Sequence, residues 1–118
     1  MQRRFRLQRA SEFQRVRRHG KSHAHPLAVV VVAPSGELSS RIGITASRAM
    51  GTAVRRNRAR RRLRAALRPL LPALRPGYDL VITARRPLLE ASWAEVCEVL
   101  GVLLQRAGCM ADRDEPRG

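Results

Sequence analysis

The alternation of apolar and polar positions predicts three β-strands. A run of small and β-branched apolar residues extends from Ala28 to Ala33 and is closed by a Pro-Ser-Gly turn. The segment RIGITAS, which begins at Arg41, alternates isoleucine with smaller or polar residues, and we expect it to pair antiparallel with the first run. A third, buried strand is predicted from Tyr78 to Ala84.

Capping residues and helical periodicity predict three helices in addition. Their expected N-terminal capping residues are Ser11, Thr52 and Ser92. The first helix is expected to end at Gly20, and the second to continue to about Arg68, where prolines bound it. The element order is therefore α-β-β-α-β-α, with space for one more short strand between Gly20 and Pro26. This order predicts an α+β fold in which a small sheet packs against helices.

The length of 118 residues suits one domain with a modest core. Trp93 and the leucines of the last helix stand at helical spacing, so we expect Trp93 to anchor that core. The apolar spacing stops near Gly108. We therefore predict a single domain over residues 1–107 and a disordered tail over residues 108–118, in which Cys109 is an exposed thiol.

The chain is strongly basic, and its charge is unevenly distributed. The net charge is +15, and 23 of the 24 basic residues are arginine. Residues 1–89 hold 21 basic and 3 acidic side chains, whereas residues 90–118 hold 3 basic and 6 acidic ones. Such an excess repels itself within a compact fold, so a polyanionic partner is the leading explanation.

The basic charge is densest in the second predicted helix, where residues 53–64 hold seven arginines and no acidic residue. On a helical wheel its apolar side chains form one stripe that faces the core. This stripe consists of Ala59, Leu63, Ala66, Leu67 and Leu70. The nearly opposite side carries Asn57, Arg61, Arg64 and Arg68, with Arg58 and Arg62 on one shoulder and Arg60 on the other. Arg56 falls at the edge of the apolar sector.

Like-charge neighbours weaken this helix. Seven arginine pairs, three or four residues apart, cost roughly 1.5–3.5 kcal/mol in total. No acidic residue nearby in sequence offsets this repulsion, so a nucleic-acid contact surface is favoured over a merely solvated basic face. Charge alone does not distinguish RNA from DNA. Asn57 lies within the basic stripe, where its amide can hydrogen-bond RNA or hold the neighbouring backbone.

Three segments carry a recognisable pattern when they are taken in order. FRLQRASEFQRVRRHG contains a short basic helix with an aromatic residue at Phe13. GITASRAMGTAVRRNRARRRLR joins a glycine-containing strand to a helix with the triplet Arg-Asn-Arg at residues 56–58. YDLVITARRP is a strand followed by a basic pair. In this order and at this spacing, over about residues 5–107, they resemble the protein subunit of bacterial ribonuclease P.

The resemblance implies an α+β fold with about four strands, in the order αβββαβα, and a left-handed βαβ crossover around the arginine helix. It implies the protein subunit of a ribonucleoprotein endonuclease that removes the 5′ leader from precursor tRNA. The implied partners are the catalytic RNA subunit and precursor tRNA, without a membrane or another protein. Because the catalytic centre belongs to the RNA, no catalytic residue and no bound cofactor is expected on this chain, and Mg²⁺ is expected in the holoenzyme through the RNA.

The resemblance also assigns candidate site residues by position. Those expected to bind the catalytic RNA are Arg48, Arg56, Asn57, Arg58, Arg60, Arg61, Arg64 and Arg68. Those expected to line a cleft for the precursor leader are Phe13, Arg17, Arg85 and Arg86. Many members of the family have a second aromatic residue where this chain has Arg17, so leader stacking depends on Phe13. Phe13 is alternatively a plain core residue.

Other candidate chemistry is weaker. His23 and His25 have no carboxylate or cysteine close by in sequence, and no metal site is predicted. The two cysteines form no CxxC pair, which fits a reducing compartment, and we expect the bacterial cytoplasm. The alternative functions are a non-catalytic structural RNA-binding protein, such as a ribosome-associated one, and a basic DNA-binding helix protein.

Overall fold

The computed structural model describes residues 6–36 and 38–111. Its helices and strands are α1 (Ala10–His19), β1 (Lys21–Ala24), β2 (Ala28–Pro34), β3 (Arg41–Ala46), α2 (Ala53–Leu67), β4 (Tyr78–Ala84) and α3 (Trp93–Arg106). Short 3-10 helices at Arg48–Met50, Arg68–Ala73 and Arg86–Leu89 connect some of them. The α+β class and the order αβββαβα are confirmed, including the short strand between Gly20 and Pro26.

The strands form one sheet in the order β1-β2-β4-β3. β2 pairs antiparallel with β1 and with β4, where Val30 lies opposite Ile82. β3 pairs with β4 in parallel, and Ile44 lies on the other side of Ile82. The expected antiparallel pairing of β2 with β3 is therefore wrong, because β4 is inserted between them. A parallel neighbour needs a long crossover, and α2 supplies it; the left-handed sense of this crossover stays a prediction.

Helices cover both faces of the sheet. α1 lies on one face, where its Val16 clusters with Val81 and Val31. α2 and α3 lie on the other face, over the larger core that includes Val30 and Val32. The valines of β2 divide between the faces because successive strand side chains point in opposite directions. Within the described residues, no helix is long and apolar enough to cross a membrane.

Side-chain caps begin two of the helices. The hydroxyls of Thr52 and Ser92 each accept the backbone N–H three residues later, at 3.3 and 3.1 Å, as expected for α2 and α3. The expectation for Ser11 is wrong, since α1 has Arg9 as its N-cap residue, without a side-chain cap, and Ser11 lies in its first turn. The backbone N–H of Leu7 donates to a β3 carbonyl at 3.0 Å, so a tertiary anchor fixes the chain just before α1.

Gly20 ends α1 at the point where the helix meets the sheet. Its N–H donates to the Val16 carbonyl at 2.7 Å, and its φ of −85° is open to any residue. A Cβ at this position would lie 2.7 Å from Cγ1 of Val31 and 2.9 Å from the carbonyl oxygen of Val32. Glycine is therefore required here by close packing and not by a left-handed turn.

The expectations of an exposed Cys109 and of Trp93 as a core anchor are wrong. Cys109 is fully buried, whereas Trp93 is 48% exposed at the start of α3. The folded part also continues past residue 108, because the Ala111 N–H donates to the Ala73 carbonyl at 2.8 Å and Met110 pairs with Leu74. The remainder of the predicted tail, residues 112–118, lies outside the described residues.

Candidate nucleic-acid interface

The arginine-rich helix α2 is held to the sheet by one apolar side. Ala59, Leu63 and Leu67 are at most 1% exposed, and Ala66 is buried beside them, which confirms the predicted core stripe. The opposite side bears exposed basic and amide groups. Its exposed members are Asn57, Arg58, Arg61 and Arg68, and its half-buried members are Arg60 and Arg64. The helix therefore presents an ordered row of donors to a partner.

Asn57 has a protein partner within the basic row. A guanidinium N–H of Arg60 donates to the Asn57 side-chain oxygen, one turn earlier on α2. The contact orients the Arg60 guanidinium and leaves the Asn57 amide N–H₂ on the exposed side. Asn57 thus arranges a neighbouring charge, and an RNA contact through its exposed N–H₂, one of the two roles considered from the sequence, stays a prediction.

Arg56 lies at the junction of α2 with the sheet. Its guanidinium donates to the carbonyl of Ala46, the last residue of β3, at 3.4 Å, and its buried Nε has no hydrogen-bond partner among residues 6–36 and 38–111. Arg56 is therefore half-buried, as its place at the edge of the apolar sector suggested. This position differs from that of Arg58, which is exposed on the same helix.

Arg48 lies in the connection between β3 and α2. The side chain of Ser47 accepts the Ala49 N–H at 3.3 Å and begins the 3-10 helix Arg48–Met50. Gly51 follows with a φ of +101°, a backbone conformation that favours glycine. The turn leaves the Arg48 side chain exposed, just before the N-terminus of α2.

A pocket of about 580 Å³ opens at the β3 edge of the sheet, between the segment before α1, α1 itself and α2. Its lining residues are Arg6, Leu7, Gln8, Phe13, Ile42, Ile44 and Arg64. Burial, with the positive charges of Arg6 and Arg60, lowers the pKa of the Arg64 guanidinium, which nevertheless stays charged at neutral pH. The pocket thus combines an apolar wall with concentrated positive charge, which an anionic ligand would relieve.

Phe13 is the aromatic wall of this pocket. Its ring lies directly on the backbone of Gly43, where a Cβ would overlap the ring. The guanidinium of Arg17, one turn later, lies 5.9 Å from the ring centroid. Phe13 is only half-buried, so it combines a packed edge with an accessible surface.

A strip of strand side chains near the C-terminal ends of β3 and β4 is partly exposed. The identical triplets Ile-Thr-Ala at 44–46 and 82–84 lie side by side in register, so that Thr45 is paired with Thr83. Val29 of β2 is paired with Thr83 from the other side, and all three residues are half-buried. Thr45 lies two residues after Gly43 on β3, so the strip lies on the same face of the sheet as Gly43.

Arg85 and Arg86 lie at the end of this strip. The Arg85 N–H donates to the Leu27 carbonyl at 2.9 Å, and its guanidinium to the His25 carbonyl at 3.4 Å. Both arginines are exposed. Arg85 follows Val81, the partner of Gly43, by four residues, or about 13 Å of strand. The structure therefore groups Phe13 with Arg17 and Arg64, and it places Arg85 and Arg86 directly after the end of β4.

A buried carboxylate fastens α1 to the sheet. Asp79 of β4 is fully buried and forms ion pairs with Arg15 of α1 and Arg41 of β3, the latter at 2.9 Å. Glu12 of α1 adds a 3.5 Å ion pair to Arg41. This network fixes the helix that carries Phe13.

Sequence reasoning missed several of these features. The repeated Ile-Thr-Ala triplet was a readable signal for the Thr45–Thr83 pair, but only the parallel register gives it meaning. Arg62 was placed on the shoulder of the basic face, whereas its guanidinium donates to the carbonyls of Leu88 and Ala91. In the described part of the chain, no group of three or more His, Cys, Asp or Glu residues could hold a metal ion.

Comparisons with known proteins agree on one family. The family model described as Ribonuclease P matches residues 1–108. The ribonuclease P protein component of Herpetosiphon aurantiacus is 39% identical over 116 residues, covering 98% of this chain and 94% of its own length. That of Chloroflexus aurantiacus is 43% identical over 108 residues, covering 91% of this chain and 80% of its own length.

Solved structures agree as well. The RNase P protein of Staphylococcus aureus superposes with a TM-score of 0.80 at 25% identity, covering 90% of this chain and 97% of that one. The RNase P protein from Thermotoga maritima superposes with a TM-score of 0.74 at 30% identity, covering 85% of this chain and 96% of that one. These likenesses extend over nearly the whole described fold.

Proposed function

The chain belongs to the bacterial ribonuclease P protein family, and from this premise we propose which surfaces bind its two RNAs. As the protein component of ribonuclease P, it takes part in the endonucleolytic maturation of tRNA, and its partner is the RNA subunit that carries the catalytic centre. We propose that the exposed row on α2 binds this catalytic RNA and that the α1 face of the sheet binds the 5′ leader of precursor tRNA.

The assignment of α2 is supported by its charge and by its geometry. Structured RNA is contacted mainly through its phosphates and 2′-hydroxyls, and arginine forks suit the phosphates. The proposed contacts are Arg48, Arg56, Asn57, Arg58, Arg60, Arg61, Arg64 and Arg68. Arg58, Arg61 and Arg68 project freely into solvent, whereas Arg56 reaches RNA only beside the β3–α2 junction.

The assignment of the leader rests on one observation, the pocket in which Phe13 of α1 meets Arg64 of α2. A single-stranded nucleotide needs a flat apolar surface for its base and a cation for its phosphate. Phe13 supplies the first and Arg64 the second, while Arg17 borders the ring from the α1 side. A base seated here would bridge the two RNA-binding elements of the protein.

From this pocket, the leader continues along the partly exposed strip of the sheet. The hydroxyls of Thr45 and Thr83 can donate to and accept from bases or ribose groups. Arg85 and Arg86 stand at the end of the strip, where they can meet a later phosphate. The proposed path along β4, from Val81 beside Gly43 to Arg85, is about 13 Å long.

This chain contributes binding and orientation to the reaction. We propose that the Mg²⁺ ions of the holoenzyme are held by the RNA, whose phosphate oxygens are the ligands that Mg²⁺ prefers. We further place the protein in the bacterial cytoplasm, in line with its bacterial relatives. By fixing the leader beside the RNA, the protein raises the occupancy of the productive substrate complex.

Two measurements test these assignments. Catalytic RNA in low Mg²⁺ should cleave precursor tRNA faster when this chain is added, and the reconstituted enzyme should bind precursor tRNA more tightly than mature tRNA. Equal affinity for both substrates would overturn the leader site. An absence of stimulation at every salt concentration would overturn the assignment of α2.

A further inference from the structure

Arg62 differs from the exposed arginines of α2 because its guanidinium is directed to two backbone carbonyls of a neighbouring segment. Its two terminal nitrogens donate to the carbonyl oxygens of Leu88 and Ala91, at 2.6 and 2.9 Å. The side chain is half-buried. A planar fork that is fastened by two separate carbonyls has a fixed orientation and is not directed at a phosphate.

The two carbonyls belong to the segment that joins β4 to α3. This segment begins with Arg85 and Arg86 and forms the 3-10 helix Arg86–Leu89, with Leu88 as its buried anchor. Within the segment, the Leu88 N–H donates to the Arg85 carbonyl at 2.9 Å, and at its start the Arg85 N–H donates to the Leu27 carbonyl, also at 2.9 Å. The Arg62 side chain adds a link from this segment to α2.

A link at this place connects the two proposed RNA surfaces. One end of it lies on the helix that carries Arg58 and Arg61, and the other on the segment that carries Arg85 and Arg86. The Leu88 carbonyl lies in the last turn of the 3-10 helix, where it also accepts the Ala91 N–H at 3.3 Å, and the Ala91 carbonyl lies two residues beyond that helix. A cation is favourable at such a helix C-terminus.

We propose that Arg62 is a positioning residue, which ties α2 to the 85–91 segment and thereby holds Arg85 and Arg86 at the end of the leader surface. This inference rests on the proposed leader site. It makes the placement of the leader contacts depend on the same helix that binds the catalytic RNA.

The test compares affinities of the reconstituted holoenzyme for precursor and mature tRNA. In Arg62→Ala, the preference for precursor tRNA should fall about tenfold, the equivalent of one charged hydrogen bond. Affinity for the catalytic RNA alone, and its salt dependence, should stay unchanged, because Arg62 touches no phosphate. A merely structural role would lower the unfolding temperature without changing the ratio between the substrates.

Four further variants make the test specific. The double variant Arg85→Ala/Arg86→Ala should lose the same preference, and adding Arg62→Ala to it should cause no further loss, since the residues act as one unit. Arg61→Ala is the matched control on α2, and it should weaken binding of the catalytic RNA while it preserves the preference. Arg62→Lys, whose ammonium has no fork to span both carbonyls, should retain part of the preference, and it carries the test if Arg62→Ala does not fold.

Each other outcome counts against the inference. An unchanged preference in Arg62→Ala, or losses that add to those of the double variant, would show that Arg62 does not act through Arg85 and Arg86. A reduced salt slope in Arg62→Ala would show that it binds RNA itself. If the unaltered protein has no preference for precursor tRNA, the leader site and this inference fail together, and the substrate ratio of the unaltered protein identifies that case.

Discussion

Burial and partners distinguish the arginines of α2 that reach backbone carbonyls from those that are exposed. Arg62 and Arg56 direct their guanidinium groups to backbone carbonyls of neighbouring elements. Arg58 and Arg61 are exposed and available to RNA. The sequence presents all of them as one basic run, because residue type and helical angle do not reveal which carbonyls a fold brings within reach.

At the residue scale, Phe13 gives the first prediction. Phe13→Ala should lower the affinity for precursor tRNA by about tenfold and that for mature tRNA hardly at all, because base stacking on an aromatic ring contributes about 1–3 kcal/mol. The measurement is equilibrium binding of both substrates by the reconstituted enzyme. Val16→Ala is the control, since Val16 is fully buried in the same cluster. If Phe13→Ala weakened both substrates equally, Phe13 would be a core residue only.

Cys109 gives a second prediction, which concerns pH. Burial raises the pKa of its thiol to about 11, above the value of about 8.5 for an exposed cysteine. A raised pKa favours the neutral thiol in the folded state, so this contribution to stability is complete below pH 8.5 and is lost as the pH rises towards 11. Unfolding in urea from pH 8 to 11 measures the loss. Cys109→Ser should flatten the decline, whereas Cys97→Ser should leave it in place.

At the element scale, hydrophobic patterning predicted where the elements lie but not how the strands are ordered. Tyr78–Ala84 was predicted with the observed bounds, because its apolar run is buried on both faces. The error over β2 and β3 arose because alternation indicates which face is buried and says nothing about the neighbouring strand. The hydrophobic pattern could not predict the pocket of Phe13 and Arg64 either, because this pocket joins residues 51 positions apart in the chain.

The attachment of α1 to the sheet gives a third prediction. Asp79→Asn should lower the free energy of unfolding by about 2–4 kcal/mol, because it leaves Arg15 and Arg41 without their buried counter-charge. Urea unfolding measures the change, and Glu90→Gln, at an exposed position, is the control. A loss below about 0.5 kcal/mol would show that the apolar contacts of Val16 suffice to hold α1.

The exposed row of α2 gives a fourth prediction, in which stability and binding change in opposite directions. Arg61→Ala removes repulsion with Arg58 and Arg64, so it should raise the free energy of unfolding by about 0.4–1 kcal/mol. The same change should weaken binding of the catalytic RNA and lower its salt slope by about 0.7–0.9 for one lost phosphate contact. Chemical unfolding and a salt titration of binding measure the two effects. An unchanged slope would place Arg61 away from the RNA.

At the scale of the whole molecule, the sheet separates two chemically different helix layers. α1 lies alone on one face with Phe13 and Arg17, while α2 and α3 share the large core on the other. The acidic side chains of α3, such as Glu95 and Glu98, are exposed and do not neutralise the basic row of α2 by any ion pair within residues 6–36 and 38–111. The unpaired charge therefore remains available to RNA, as the net charge of +15 indicated.

The net charge leads to a final prediction about salt. In the free protein, added salt screens the repulsion that arises from the net charge of +15. Raising NaCl from about 50 to about 500 mM should therefore raise the unfolding temperature. With catalytic RNA at about 100 times its Kd at 50 mM NaCl, the folded state gains about 2.7 kcal/mol from binding, and salt removes this gain steeply as affinity falls. Salt should therefore lower the unfolding temperature of the complex, opposite to its effect on the free chain. Thermal unfolding followed by a fluorophore on the protein measures both effects. The double variant Arg61→Ala/Arg64→Ala is the control, and added salt should lower the unfolding temperature of its complex by a smaller amount. A change of the same sign with and without RNA would show that the arginine excess is not neutralised by this partner.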